Sequence, residues 1–257
     1  MELKGNTILI TGGTSGLGLE FATRFLAMGN TVIITGRSQV KLDEMRKNLP
    51  GVHTFKSDVS NPDAIVELQQ QIVSQFPELN ILINNAGEMR KINLHDTTID
   101  LLDITREVEI NLMGPIRMVQ QFLPHLKTKN SAAILNVTSG LALVPFPLSP
   151  VYGVTKAGLR SYTKSLRVQL QNTAIKVFEL VAPGSSTPLN DKFMQEDGFD
   201  PKILMEPGKL VETAINGMKK DKLEIYPGVA KLLNIMSRLA PGLILAQTSK
   251  VGQSNWK

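Results

Sequence analysis

A single α/β domain, its mainly parallel sheet covered by helices on both faces, is what this sequence predicts. Three observations lead there. Between residues 7 and 181, short runs that are apolar throughout alternate with stretches of helical spacing. Strands buried on both faces belong to parallel sheets whose crossovers are helices. A glycine-rich turn, Gly12-Gly13-Thr14-Ser15-Gly16-Leu17-Gly18, follows the first apolar run and opens the first helix. No linker, low-complexity tract or internal repeat divides the 257 residues, a length that can bury a full core.

The elements follow in order. Thr7–Thr11 is a short, mostly β-branched run bounded by Gly5-Asn6 and Gly12-Gly13, and predicts the first strand. Leu17, Phe21, Phe25 and Met28 then change to helical spacing. A second strand is expected over 31–35 and a helix over 39–49; a third strand over 52–56 and a helix over 62–76. The fourth strand, 81–84, leads into a long helical stretch, 98–126, with a bend expected at Gly114-Pro115. Residues 132–138 read as a strand, 150–170 as a helix and 175–181 as a sixth strand. The sheet is therefore doubly wound, of the Rossmann type. After Pro183 the alternation weakens. Residues 187–207 mix prolines, acids and isolated large apolar side chains, the composition of a substrate loop with short helices. A helix over 208–219 and a strand over 222–225 precede an apolar C-terminal tail, 229–257, broken at Pro241-Gly242.

Composition excludes several classes. The formal net charge of +5 is spread along the chain without a dense Lys/Arg block, which argues against a nucleic-acid partner. With no cysteine there is no disulfide, thiolate metal site or thiol nucleophile, as suits a reducing compartment. His53, His95 and His125 lie far apart and show no ligand spacing, so no metal is expected. No apolar run reaches the roughly 20 residues of a membrane span, and the start lacks a basic segment followed by a long apolar one. A cytoplasmic protein is expected.

The chemistry concentrates in residues 139–156. Ser139 closes a buried strand; Tyr152 and Lys156 follow at i and i+4 on one helix face. An ammonium beside a phenol favours the phenolate and lowers its pKa from about 10 toward working pH. Such a tyrosine can donate and accept a proton, with Ser139 hydrogen-bonding the reacting oxygen. At the other end of the chain, glycines after the first strand let the backbone approach a pyrophosphate. The helix N-terminus offers that group unpaired N–H groups.

The glycine spacing is Gly12, Gly16, Gly18 after Thr11, and it resembles the turn of the short-chain dehydrogenase/reductase family, in its subtype of about 250 residues. The rest of that family's pattern falls in register. Asp58-Val59 resembles its adenine-contacting acid. Asn84-Asn85-Ala86-Gly87 matches its N-N-A-G, which stabilises the central sheet and passes near the adenosine ribose. Asn111 resembles its helix asparagine, which holds a water linking the lysine to solvent. Ser139, Tyr152 and Lys156 match its catalytic serine, tyrosine and lysine, and Pro183-Gly184 its P-G after the sixth strand. The likeness spans about residues 5–188. One spacing departs: two residues, not three, separate Pro183-Gly184 from Thr187, so Thr187, Ser185 or Ser186 is expected to bond the nicotinamide carboxamide. The final region looks like that of the DltE-type short-chain oxidoreductases.

What this implies is an NAD(P)-dependent oxidoreductase interconverting a carbonyl and an alcohol, Tyr152 its general acid and base. NADP(H) is favoured over NAD(H). No acid ends the second strand to bond a ribose 2′-hydroxyl; Arg37 stands there instead and can fork onto a 2′-phosphate, with Ser38 beside it. Position 15, basic in some NADP-dependent relatives, is Ser15. Apolar residues 141–148, with Phe193, Met194 and Phe199 from the late loop, are expected around the substrate. Two other readings are a non-catalytic NADP(H)-sensing regulator, which predicts an eroded catalytic set, and a nucleotide-sugar epimerase or dehydratase, which carries T-G-x-x-G-x-x-G. Neither signature is present. The family's habit of pairing helices implies a homodimer through Ile116, Val119, Phe122 and Leu123 with Leu159, Tyr162 and Leu166. The tail, with only Lys231 and Arg238 on its first helix, few for surface anchoring, is expected to pack on protein and could cover the same surface; a membrane surface is the rival destination.

Overall fold

The computed structural model describes residues 1–256, with side chains through residue 254. Seven parallel strands form one sheet: β1 (Thr7–Thr11), β2 (Thr31–Gly36), β3 (Val52–Lys56), β4 (Leu79–Asn84), β5 (Ala132–Ser139), β6 (Ile175–Ala182) and β7 (Glu224–Ile225), in the order β3-β2-β1-β4-β5-β6-β7. Winding runs outward from β1 in one direction through β3 and from β4 in the other, so the strand order reverses between β1 and β4. The crevice at the carboxyl ends of the strands there is where open α/β sheets hold ligands.

Side chains of one strand divide between two layers, which is why the runs are apolar without alternation. Ile8 and Ile10 pack with Phe21 and Phe25 of α1 (Gly16–Ala27) and with Leu210 and Val211 of a late helix, Pro207–Lys219. Leu42 of α2 (Gln39–Asn48) joins that layer, while Leu9 and Ile33 face the other way, toward Ile65 and Leu68 of α3 (Pro62–Gln75). Asn61 caps α3 by accepting from the N–H groups of Asp63 and Ala64, and Pro62 takes the first position, where its missing N–H costs nothing.

The 98–126 stretch is not one helix. It comprises α4 (Leu101–Ile104), α5 (Arg106–Val108), a π turn over Glu109–Met113, and α6 (Gly114–Leu126). The irregularity lies over Glu109–Met113, just before the bend expected at Gly114-Pro115. Pro115 has no N–H to give the carbonyl four residues back, that of Asn111, so the helix widens there. The Gly114 N–H reaches the carbonyl of Glu109, a five-residue span. Proline then sits comfortably in the first turn of α6.

Beyond α7 (Pro150–Gln169) and α8 (Pro207–Lys219), the tail forms α9 (Val229–Leu239) and α10 (Pro241–Thr248), with Pro241 starting the second. One side of the tail packs on protein, against the 140–142 turn rather than over α6 and α7. Ala230 is buried and Leu233 meets Gly140, while Leu232, Ile235 and Leu239 stay exposed. Val119, Phe122, Leu159 and Leu166, expected to face a partner, lie in this chain's own core against the sheet. Of that set only Ile116, Leu123 and Tyr162 keep partial exposure.

Candidate active site

Thr11 ends β1 and ties the turn to its neighbour strand. Its hydroxyl oxygen accepts the N–H groups of Asn85 and Ala86, each at 3.0 Å. Gly12 has φ +67°, and a Cβ there would come within 2.8 Å of Ala86. A Cβ on Gly18 would lie 2.2 Å from the Gly12 carbonyl oxygen, so α1 starts pressed against the turn. Gly18 is thus a packing residue behind the cavity wall, whereas Gly12, Thr14, Ser15, Gly16 and Leu17 form the wall. Ser15 stands at the N-cap without capping, leaving the first-turn N–H groups of α1 without a side-chain acceptor. A helix start in that condition suits an anion.

From this turn a cavity of about 730 Å³ runs along the carboxyl edge of the sheet. Beyond β2 it is bounded by Arg37, Ser38 and Lys41, and beyond β3 by Ser57, Asp58 and Val59. Asn85, Ala86 and Gly87 bound it after β4, Ser139 after β5, and Pro183, Gly184, Ser185 and Thr187 after β6. Of the three carboxamide candidates, Ser185 and Thr187 reach the cavity and Ser186 does not. Thr187 faces Gly16, whose Cβ would sit 3.4 Å from it. An extended dinucleotide fits this set: a cradle open only because glycines lack Cβ atoms, free helix-start amides, and a cationic end.

Tyr152, Lys156 and Ser139 meet on the opposite wall. Tyr152 and Lys156 are 5% and 4% exposed despite their polar ends. The Lys156 ammonium donates to the Val137 carbonyl at 2.8 Å, and lies 5.7 Å from the centre of the tyrosine ring. Burial pushes the Tyr152 phenol up to about 12, against the Ser139 hydrogen bond that favours its ionisation. Burial alone brings the Lys156 ammonium down to about 8. The lowered phenol expected from Tyr-x-x-x-Lys is therefore corrected: desolvation dominates the Tyr152 shift, and the ammonium donates to a backbone carbonyl.

Asn111 sits inside the π turn and is fully buried. It accepts the Glu88 N–H at 2.8 Å, donates to the Glu88 carbonyl at 2.7 Å and reaches the Thr155 hydroxyl at 3.2 Å. It acts as a strap between the 85–88 segment and α7, and does not itself line the cavity. Asn84 extends the same logic into the sheet, donating to Asn136, which donates to Thr163 of α7.

The pattern of the short chain dehydrogenase family matches residues 6–198. The chain belongs to that family. It is 39% identical over 225 residues to the uncharacterized oxidoreductase DltE of Bacillus subtilis (strain 168), covering 88% of this chain and 89% of that one. A short chain dehydrogenase from Burkholderia cenocepacia J2315, solved in complex with NADP, superposes with a TM-score of 0.82 at 22% identity, over 96% of this chain and 99% of that one. A short chain dehydrogenase/reductase from Burkholderia phymatum, solved in complex with NAD, gives 0.80 at 20% identity, over 93% and 95%. These two likenesses carry the fold.

Several residues of this short-chain dehydrogenase went unread in its sequence. Lys41 faces the cavity from the first turn of α2, where no acid stands and a cation opposes the helix dipole. That misplaced charge was the available signal. Glu107 is fully buried; burial pushes its carboxyl up, and its charge raises the Tyr152 pKa further. Behind Ser139, the Thr138 hydroxyl donates to Glu179 at 2.7 Å, and Arg160 Nη1 lies 2.9 Å from both oxygens of that carboxylate. An acid in the middle of an apolar strand was the visible trace of that network. On the substrate side Leu141, Val144, Phe146, Phe193 and Phe199 reach the cavity as expected, but Met194 does not.

Proposed function

We propose that this short-chain dehydrogenase interconverts a carbonyl and an alcohol with a nicotinamide dinucleotide, NADP(H) in preference to NAD(H). The observation that supports this best is that Ser139, Tyr152 and Lys156 come together in the same cavity as a glycine turn and a free helix start. The dinucleotide, when bound, supplies or accepts the hydride. The residues that would hold it are Gly12, Thr14, Ser15, Gly16 and Leu17 at the pyrophosphate, and Asp58, Val59, Asn85, Ala86 and Gly87 at the adenosine half. Pro183, Gly184 and Thr187, with Tyr152 and Lys156, would hold the nicotinamide half. Arg37, Ser38 and Lys41 would meet a 2′-phosphate, with no carboxylate at the end of β2 to repel it. The NADP and NAD named for the two superposed proteins support the cofactor class.

With its pKa near 12, the Tyr152 phenol is protonated at neutral pH and stands ready to donate to a carbonyl oxygen. Ser139 hydrogen-bonds that oxygen as charge develops on it. The Lys156 ammonium, close to the ring, stabilises the phenolate left behind. Asn111 keeps α7 and the 85–88 segment in register. Residues 187–207 serve as the substrate loop, contributing Phe193 and Phe199, and the working unit is a homodimer. A screen of carbonyls and alcohols with both cofactors, followed by NAD(P)H absorbance, tests the reading. Tyr152→Phe should lose roughly 100- to 10,000-fold in turnover while dinucleotide affinity stays near normal. Near-normal turnover in that variant sinks the mechanism.

A further inference from the structure

After Glu224 the sequence contains no acidic residue, while Lys231, Arg238, Lys250 and Lys257 carry positive charge. This acid-free stretch forms α9 and α10, and α9 has two unlike sides. One side closes the cavity: Val229 and Leu233 of α9 and Gln247 and Thr248 of α10 line it. The other side is apolar and open. Leu232 is 57% exposed, Ile235 47% and Leu239 76% on α9, and Leu243 is 63% exposed on α10. At about 100° per residue, Ile235, Leu239 and Leu232 form one narrow stripe along α9. Lys231 and Arg238, seven residues apart and both exposed, run along a single edge of that stripe.

We propose that the α9–α10 pair docks on an anionic phospholipid surface, its exposed stripe in the acyl boundary and Lys231 and Arg238 reaching the head groups. Two observations select that occupant. An amphipathic helix with long basic side chains bordering its apolar face can sink the face while the cations extend to phosphate level. A second copy of this chain meeting the same face about a two-fold axis would set Lys231 and Arg238 against cations, with no carboxylate on either helix to pair with them. The pair lies on the membrane and does not cross it: among the described residues no helix is long and apolar enough to span. Docking also names a substrate class. Since Val229 and Leu233 belong to the cavity wall, the site opens beside the lipid, which suits an apolar carbonyl or alcohol that partitions there. That last clause rests on the oxidoreductase reading; the docking does not.

The test is co-sedimentation of the full chain with vesicles of phosphatidylcholine alone and with vesicles of equal parts phosphatidylcholine and phosphatidylglycerol. Binding to the anionic vesicles only is expected, weakened at about 1 M salt, where the screening length falls to about 3 Å. Lys231→Gln with Arg238→Gln should weaken it about thirty-fold, roughly five-fold per cation. Ile235→Glu with Leu239→Glu should abolish it with the melting temperature kept, since both side chains are exposed. No pelleting with anionic vesicles, or pelleting unchanged in the glutamate variant, overturns the proposal. So does a glutamate variant that changes from dimer to monomer in light scattering while vesicle binding is absent in both forms, which assigns the face to a second copy. NADPH binding, followed by its fluorescence in the same samples, separates the two readings: lost binding would sink the oxidoreductase assignment alone, and lost pelleting the docking alone.

Discussion

Lys156 and Tyr152 are pushed apart by one cause, and the consequence can be read in stability as well as in catalysis. Burial takes Lys156 from 10.5 down to about 8 and Tyr152 from 10.0 up to about 12. Between pH 8 and 10.5 the unfolded chain holds a proton on this lysine that the folded chain has released, so stability rises with pH through that window. Between pH 10 and 12 the folded chain keeps a tyrosine proton that the unfolded chain has lost, and stability falls. Lys156→Met should remove the first effect, worth up to about 3 kcal/mol at 1.36 kcal/mol per unit. Urea midpoints of both proteins at pH 8 and pH 10 decide it; parallel pH dependences would mean that the lysine is not held low. At the cationic end, Arg37 makes no ion pair among the described residues. Charge-assisted hydrogen bonds contribute roughly 1.5–3 kcal/mol, so Arg37→Ala should weaken NADPH ten- to a hundred-fold more than NADH in titrations of each. Equal losses would leave Arg37 only stacking on adenine.

At the scale of elements, the π turn is what puts Asn111 in contact with Glu88. Asn111→Leu would fill the space but leave the Glu88 N–H and carbonyl without their partner, at roughly 1–3 kcal/mol for each buried group left unpaired. Because residues 85–87 line the cavity, dinucleotide affinity should fall along with the urea midpoint. An unchanged midpoint would show that the strap carries no load. The turn also marks where reading the sequence stops. Strands such as Thr7–Thr11 and helices such as α3 were legible to within a residue or two, because burial on both sheet faces and clear caps leave local marks. That Tyr152 and Lys156 meet on one wall, and that the glycine turn lines the cavity, was legible because spacing along one helix or one turn is itself local. Residues 98–126 hid their interruption because helical periodicity persists through a widened turn; the clue was one missing N–H, that of Pro115, opposite the Asn111 carbonyl. Glu107 was invisible for another reason: an acid on a helix reads as solvated, and only the fold buries it. The direction of the Tyr152 shift was misjudged because desolvation is a property of the packed site.

For the molecule as a whole, the apolar residues left outward on α6 and α7 are Ile116, Leu123 and Tyr162, with Val154 and Val168 largely exposed on α7. If these helices pair with their counterparts in a homodimer, light scattering at micromolar concentration should give twice the chain mass, and Tyr162→Asp should halve it without unfolding the chain. A wild-type monomer would remove the dimer. The sheet order carries a consequence for the ribosome. β1 is made first yet sits between β2 and β4, and its partner in β4 begins at Leu79. During synthesis, β1, β2 and β3 can assemble early, but Ile8, Leu9 and Ile10 wait with one edge of β1 open until residues 79–84 emerge. At roughly 5–20 residues per second that edge stays available for several seconds to any other nascent chain. Slowing translation before Leu79 should therefore lower the soluble yield, and an unchanged yield would show that the open edge of β1 draws in no other chain.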